Sequence, residues 1–327
     1  DLLTGASVER VGRCRGSPSS SRSRMRVLSR TGMLAQSAAA AAFGGLALDP
    51  SQVEVLSART MTLRRVNPLT PGHVVVAPLR PASRLADLDD DEHAEVFQAV
   101  LEAQQRAATG AAPPTAFNVA VKDGAAAGQP VEHVHVHVVP RRAGDLQPDE
   151  IYGLLDVCTG VRRFCRARFS ARPQAWTPTG APNAALELLE VPSDADRMPR
   201  TPEAMSLEAD SLRADSDWPV VGPVLFGRFV LDVSQVFFSS ELSYGIVNLK
   251  PLVPGHVMVV PRRAVPRLSD LTTAEARCLW RSARLVQEIV LRRYAATGVN
   301  VAMQDGADAG QSVPHVHIHI LPRGKRD

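Results

Sequence analysis

Three histidines alternating with β-branched residues occur twice in this chain. The first copy reads Gln129-Pro-Val-Glu-His133-Val-His135-Val-His137-Val-Val-Pro140-Arg141, and the second Gln311-Ser-Val-Pro-His315-Val-His317-Ile-His319-Ile-Leu-Pro322-Arg323. Period-two alternation is the pattern of a half-buried strand, whose successive side chains point to opposite faces. The spacing therefore predicts a strand with all three rings on one face and the valines or isoleucines in the core behind them. A single histidine on a strand is ordinarily a satisfied structural residue. Three titratable rings at i, i+2 and i+4, found twice, are not what strand propensity alone supplies, and they mark two candidate sites.

The repeat extends well beyond the histidines. Phe43-Gly44 recurs as Phe226-Gly227 and Pro71-Gly-His73-Val as Pro254-Gly-His256-Val, both at an offset of 183. Asp123-Gly124 recurs as Asp305-Gly306 at 182, and the histidine runs keep 182. One residue has been gained or lost between His73 and Asp123, most simply in a loop. A period this long is a duplicated domain rather than a solenoid unit, and two domains suit a chain of 327 residues. The boundaries expected are a leader over 1–42, a first domain over 43–157, a linker over 158–222 and a second domain over 223–327.

Each copy reads as an α+β unit. Short alternating segments (Val233 to Phe238 and Leu242 to Val247 in the second copy) precede a Pro-Gly-His turn and a buried apolar run, Val74 to Ala77 or Val257 to Val260. A long helix is expected over about 89–107 and 273–295. Thr272 and Glu275 have capping-box spacing, and Asp89 to Asp91 place negative charge at the other helix start. Two further strands close each copy, the last carrying the histidines. Strands, one helix and strands again, with hairpin-length links, imply a mostly antiparallel sheet. The linker, rich in proline, is expected to hold a short helix from Pro202 to Leu212, since proline suits a first helical turn.

Bulk properties exclude several classes. A formal charge of +3 gives no footprint for a nucleic-acid polymer. Cysteines 14, 158, 165 and 278 have no C-x-x-C spacing and make neither a disulfide framework nor a zinc set. No apolar run approaches the roughly 18 residues that a membrane span requires. The leader carries Arg10, Arg13, Arg15, Arg22, Arg24, Arg26 and Arg30 against Asp1 and Glu9. It reads as an organellar transit segment, as a disordered leader, or as sequence upstream of a start at Met25 or Met33. The compartment expected is accordingly cytoplasmic, mitochondrial or plastid.

Eight of the nine histidines belong to the repeat: His73, His133, His135 and His137, with His256, His315, His317 and His319. Two chemistries use such a row. A metal could be shared by neighbouring rings, but three along an extended strand span roughly 13 Å at about 3.3 Å per residue, too far for one ion. Phosphoryl or nucleotidyl transfer fits better, the middle ring attacking phosphorus and the others orienting it and holding oxygens. The glycine-rich stretch Gln304-Asp-Gly306-Ala-Asp-Ala-Gly310-Gln311-Ser312 offers backbone N–H groups to an anion.

These residues together resemble the histidine triad (HIT) superfamily, and their flanks resemble its fragile histidine triad branch, the diadenosine triphosphate hydrolases. The second copy carries the likeness through Leu242-Ser-Tyr-Gly-Ile-Val-Asn248 to His256, then Met303-Gln304 to Gln311, then the triad and Pro322-Arg323. The first carries it through Pro140-Arg-Arg-Ala-Gly144-Asp145 and Ile151-Tyr152. The resemblance implies that His317 is the nucleophile of a nucleotidyl-histidine intermediate, with His315, His319 and His256 around it. It further implies that Asn248 binds ribose hydroxyls, Gln304 the bridging oxygen, Gly310, Gln311, Ser312 and Val313 the α-phosphate, and that Phe226 lines the adenine pocket. In the first copy His135, His133, His137 and His73 take the same places, with Gly128, Gln129, Pro130 and Val131 at the phosphate. No tightly bound cofactor is implied, only magnesium or manganese accompanying the substrate.

The first copy departs from the pattern twice. Arg65 stands where the second has Asn248, and Lys122 where it has Gln304. Either contacts are lost there or a more anionic ligand is taken. The branch works as a homodimer, so a chain with two copies is expected to pair them internally, as a monomer with one ten-stranded sheet. The activity expected is cleavage of diadenosine triphosphate-like dinucleotides to AMP and a nucleoside diphosphate. The alternatives are a nucleotide-binding signalling protein with slow turnover, or a phosphoramidase.

Overall fold

The computed structural model describes residues 42–147, 150–157, 196–213 and 223–324. The expected leader, apart from residue 42, and most of the expected linker lie outside the described residues.

In the first copy a small hairpin, β1 (Ala42–Phe43) and β2 (Leu46–Ala47), precedes β3 (Val53–Leu56), β4 (Thr60–Arg64) and β5 (Val74–Pro78). Helix α1 (Asp90–Ala108) follows, then β6 (Ala116–Asp123), β7 (Val136–Arg141) and α2 (Glu150–Val157). Helix α3 (Pro202–Leu212) stands between the copies. The second copy repeats the plan with β8 (Val224–Phe226), β9 (Phe229–Leu231), β10 (Val236–Ser239), β11 (Ser243–Val247), β12 (Val257–Pro261), α4 (Thr273–Arg293), β13 (Gly298–Asp305) and β14 (Ile318–Arg323).

Local chemistry sets the helix starts. Thr272 and Glu275 form the expected capping box, and Asp89 forms the same box with Glu92, so the first copy has a capping residue as well as first-turn charge. Helix α3 begins at Pro202, capped by the Thr201 hydroxyl. The one-residue difference between the copies falls where α4 runs 21 residues against 19 for α1, while the following link shortens.

Ten strands make one antiparallel sheet in the order β10-β11-β12-β14-β13-β6-β7-β5-β4-β3. Its centre is the pairing of β13 with β6, where Val299 faces Asp123, Ala302 faces Ala120 and Asp305 faces Phe117. This register maps each copy onto the other, with the pseudo-two-fold axis between Ala120 and Ala302. It is the self-complementary contact of a two-fold dimer, made here within one chain. Both long helices lie on one face, over the core formed by Val119, Val121, Val136, Val138, Val301, Met303, Ile318 and Ile320. Across the axis Phe97 of α1 stacks on Trp280 of α4, ring centroids 3.7 Å apart. Gln104 donates to Asp305 Oδ2 (3.2 Å), and its counterpart Gln287 donates to Asp123. The ninth histidine, His93, is core on this side, 4.8 Å from Phe97.

One expectation needs correction. Strands β7 and β14 begin at Val136 and Ile318, so only His137 and His319 lie in a paired strand. The residues before them are extended but bond to a loop rather than a strand: Val134 N–H donates to Ala82 O and Val316 N–H to Val265 O. After the first triad, helix α2 buries Ile151 and Leu155 against Ala120, Val139 and Leu69 of its own copy. The 196–213 segment meets the second copy.

Candidate active site

The histidines occupy the face of the sheet opposite the long helices, and hydrogen bonding fixes the tautomer of each. In the second copy Gly227 N–H donates to His315 Nδ1 (2.9 Å), so the proton of His315 is on Nε2, which donates to Pro261 O (3.0 Å). The carbonyl of His315 then accepts from His317 Nδ1 (2.7 Å). This leaves the lone pair of His317 Nε2 for chemistry. Leu252 N–H donates to His256 Nδ1 (3.1 Å), and His256 Nε2 donates to His319 Nδ1 (3.0 Å). The remaining proton of His319 is therefore on Nε2. Asn248 lies beside this relay, its Nδ2 3.1 Å from His256 Nε2 and its Oδ1 accepting from Lys250 N–H (2.9 Å).

Burial keeps all these rings neutral. It pushes His256 down to about 3 and His315 to about 4, and lowers His317 and His319 as well. A neutral His317 is a nucleophile at neutral pH without any further base. Phe226 packs against the site with its ring 5.2 Å from that of His317 and 5.7 Å from that of His315. Gly227, at φ +59°, has to be glycine: a Cβ there would come within 2.6 Å of Val313 Cγ1.

The loop before the triad is held from inside. Gln311 Oε1 accepts from Gly306 N–H (2.8 Å) and its Nε2 donates to Pro266 O (3.0 Å), so its side chain serves the loop. Gly310 N–H donates to Ala307 O and Gln311 N–H to Gly306 O. The amides left for an anion are those of Ser312 and Val313. Gln129 serves the first copy in the same way, bonding Gly124 N–H (2.6 Å) and Ser83 O (2.8 Å).

Each such loop is propped by the other copy. Asn118 on β6 donates to Ala309 O (3.0 Å) and accepts from Arg141 Nη1 at its Oδ1 (2.7 Å), while Arg141 Nε donates to Asp145 Oδ1 (2.9 Å). In mirror image Asn300 donates to Ala127 O (3.1 Å) and accepts from Arg323 (3.0 Å). Thr115 bonds Asp308, and Arg267 Nη1 donates to Thr115 O (2.9 Å).

The HIT domain family model matches residues 49–144 and 232–326. The chain belongs to the HIT domain family. Among its relatives, a bis(5'-nucleosyl)-tetraphosphatase [asymmetrical] of Schizosaccharomyces pombe is 55% identical over 102 residues, 31% of this chain and 56% of the relative. A bis(5'-adenosyl)-triphosphatase of Dictyostelium discoideum is 50% identical over 102 residues, 31% of this chain and 68% of the relative. A bifunctional bis(5'-adenosyl)-triphosphatase/adenylylsulfatase of Arabidopsis thaliana is 51% identical over 98 residues, 30% of this chain and 54% of the relative. Each match has the extent of one HIT domain, and the chain spans about half the length of two of these relatives.

The two HIT domains keep the same triad. In the first, Gly44 N–H donates to His133 Nδ1 (3.1 Å), His133 Nε2 to Pro78 O (2.9 Å), His135 Nδ1 to His133 O (2.8 Å) and His73 Nε2 to His137 Nδ1 (3.1 Å). Around the triad they differ. Arg65 follows β4 beside His73, its N–H bonded to His73 O (3.3 Å), where the second domain has Asn248. Lys122 lies two residues beyond Ala120, which pairs with His137, as Gln304 lies two beyond Ala302, which pairs with His319. Pro130 replaces Ser312, so the first loop has neither that amide nor that hydroxyl. The second HIT domain gains a wall from outside its own repeat. Arg200 Nε donates to Asn248 O (3.0 Å) and Arg197 Nη1 to Lys250 O (3.0 Å). After burial, the charge of Arg197 is the next largest influence lowering His256, and it lowers His319 too. No local sequence pattern reports the contacts of Arg197 and Arg200, whereas Asn118 and Arg141 recur as Asn300 and Arg323 at offset 182.

Proposed function

We propose that the second HIT domain hydrolyses dinucleoside polyphosphates of the diadenosine triphosphate class to AMP and a nucleoside diphosphate. The observation that carries this is the His317 tautomer: Nδ1–H is tied to the His315 carbonyl at 2.7 Å, leaving Nε2 able to attack. In the first step a bond forms from Nε2 to the α-phosphorus. The bridging P–O bond breaks, and its electron pair leaves with the nucleoside diphosphate. The positive charge that develops on the His317 ring is stabilised by the His315 carbonyl. The amides of Ser312 and Val313 and the Nε2–H of His319 face the phosphoryl oxygens, and Gln304 the bridging oxygen. Water then displaces the ring from phosphorus, releasing AMP and restoring neutral His317.

In this reading Asn248 takes ribose hydroxyls and Phe226 lines the base pocket. Among the described residues no group of three His, Cys, Asp or Glu side chains is arranged to hold a metal ion. Magnesium or manganese is expected to arrive paired with the substrate's phosphates. The two domains already supply each other's dimer contact, so the expected state in solution is a monomer with one dominant site, which light scattering on the full chain checks.

The test is turnover of diadenosine triphosphate against an adenosine phosphoramidate, with intact-mass detection of an AMP adduct and its location by peptide. Rapid triphosphate turnover with the adduct on His317 is expected. Faster turnover of the phosphoramidate would assign the protein to the phosphoramidase class. Binding with negligible turnover of either compound would assign it to nucleotide signalling.

A further inference from the structure

The first HIT domain has kept the triad while two of the changes around it bring cations to the pocket. Arg65 and Lys122 replace two neutral amides and are only 7% and 4% exposed. Both stem from backbone next to the site, Arg65 bonded to His73 O and Lys122 two residues beyond Ala120, the strand partner of His137 and so on the same face of the sheet. Their charge reaches the rings: after burial, both cations lower His135 and His137, and Arg65 lowers His73. Meanwhile Pro130 removes one loop amide and one hydroxyl from the place where the second domain has Ser312. Anion-binding capacity has thus moved from loop dipoles to two full charges on β6 and at the end of β4. The base side differs as well. Phe43 is fully buried against the ring of His133, 5.0 Å away, whereas Phe226 is only partly buried.

A terminal phosphate carries close to two negative charges at neutral pH, because its second ionisation lies near 6. Each bridging phosphate of a dinucleotide carries one. A guanidinium fork and an ammonium group suit the former, the fork by bidentate hydrogen bonding and the ammonium as a point charge. We infer that the first HIT domain is a second, separate binding site whose ligand is a polyphosphate ending in a free terminal phosphate, held by Arg65 and Lys122. Two sources share that chemistry, a nucleoside di- or triphosphate and inorganic pyro- or triphosphate. The inference does not depend on the hydrolytic reading of the second domain.

The experiment uses the full chain carrying His317→Asn, so that turnover does not obscure binding. Calorimetric titrations with ADP, inorganic triphosphate and diadenosine triphosphate are compared with those of the same chain carrying Arg65→Asn and Lys122→Gln in addition. A site for ADP or inorganic triphosphate that weakens at least about tenfold in the triple variant, while diadenosine triphosphate binding changes less than about twofold, is the expected result. Loss of affinity for ADP alone identifies a nucleotide ligand, and equal loss for inorganic triphosphate a base-independent one. Unchanged binding of both phosphates in the triple variant, or one shared site for all three compounds, overturns the inference. A charge-keeping chain with Arg65→Lys and Lys122→Arg guards against misfolding: it should retain binding within about threefold, and losing it as fully as the triple variant also overturns the inference. Failure of the hydrolytic reading would instead appear as absent turnover in the unmodified chain, which these titrations do not measure.

Discussion

The two pockets of this sheet share a skeleton and differ in what surrounds it. Gly227, Pro261, His256 and Leu252 hold the rings of the second as Gly44, Pro78, His73 and Leu69 hold those of the first. The bonds that set each tautomer are made mostly by backbone groups, so they survive substitution of neighbouring side chains. Those neighbours differ. Asn248 and Gln304 against Arg65 and Lys122 change the pocket by two charges without moving a strand. The triads are thus one scaffold in two surroundings of different charge.

The comparison breaks most sharply at the nucleophiles. His317→Asn should lower turnover of diadenosine triphosphate by on the order of a thousandfold or more while nucleotide still binds, because the covalent route is removed and most contacts remain. His135→Asn should change it less than about twofold. Steady-state rates on the purified variants check this, and equal losses would make the two pockets equivalent sites.

Next in size is the contact that joins the domains. Trp280→Ala removes a buried ring from the Phe97 stack and should cost about 3–5 kcal/mol of stability, read from denaturant midpoints. A loss under about 1 kcal/mol would mean that the halves fold independently of each other.

A smaller effect tests the crossed support. Asn118→Ala, a change in the first domain, leaves Ala309 O without its donor and should lower turnover at the second site roughly tenfold, for an unmet buried hydrogen bond of about 1–3 kcal/mol. Most of the loss should fall in kcat, since the Asn118 side chain holds the loop rather than substrate. Full activity would confine each site to its own repeat.

On turnover the mildest effect comes from pH. Burial holds His256 at about 3 and His315 and His135 at about 4, against an unfolded value near 6.5. The unfolded chain thus binds more protons between these values. The stability these rings contribute is complete above pH 6.5 and is lost as pH falls toward 4, by up to roughly 1.4 kcal/mol per pH unit for each ring. Denaturant midpoints at pH 7.5, 6 and 5 should fall in that order. Turnover should stay flat down to about pH 6.5, because His317 remains neutral. A constant midpoint down to pH 5 would contradict the burial of both triads.

Much of this architecture was legible because it rests on short-range chemistry. Capping at Thr272, the Pro-Gly-His turns, the length of both helices and the duplication all leave local patterns. The start of the last strand did not: alternation continues through His315 and His317, but their backbone faces a loop, and periodicity does not report what lies alongside. The wall made by Arg197 and Arg200 was hidden for a different reason. Their partners at Asn248 and Lys250 lie about fifty residues away and are carbonyls, which every residue has. The bond from Asn118 to Ala309 spans 191 residues and has the same anonymity.

The stack of Phe97 on Trp280 has a consequence for assembly. At a true two-fold axis the same side chain must meet itself, so a homodimer of the first domain would bring two phenylalanines together and one of the second two tryptophans. The first pairing leaves a void, and the second crowds two indoles into a space that holds one beside a smaller ring. Unequal volumes matched across the axis are available only to halves that differ. The core thereby discriminates against like-with-like exchange between molecules and in favour of each domain meeting its unlike neighbour, which the connecting chain keeps at hand.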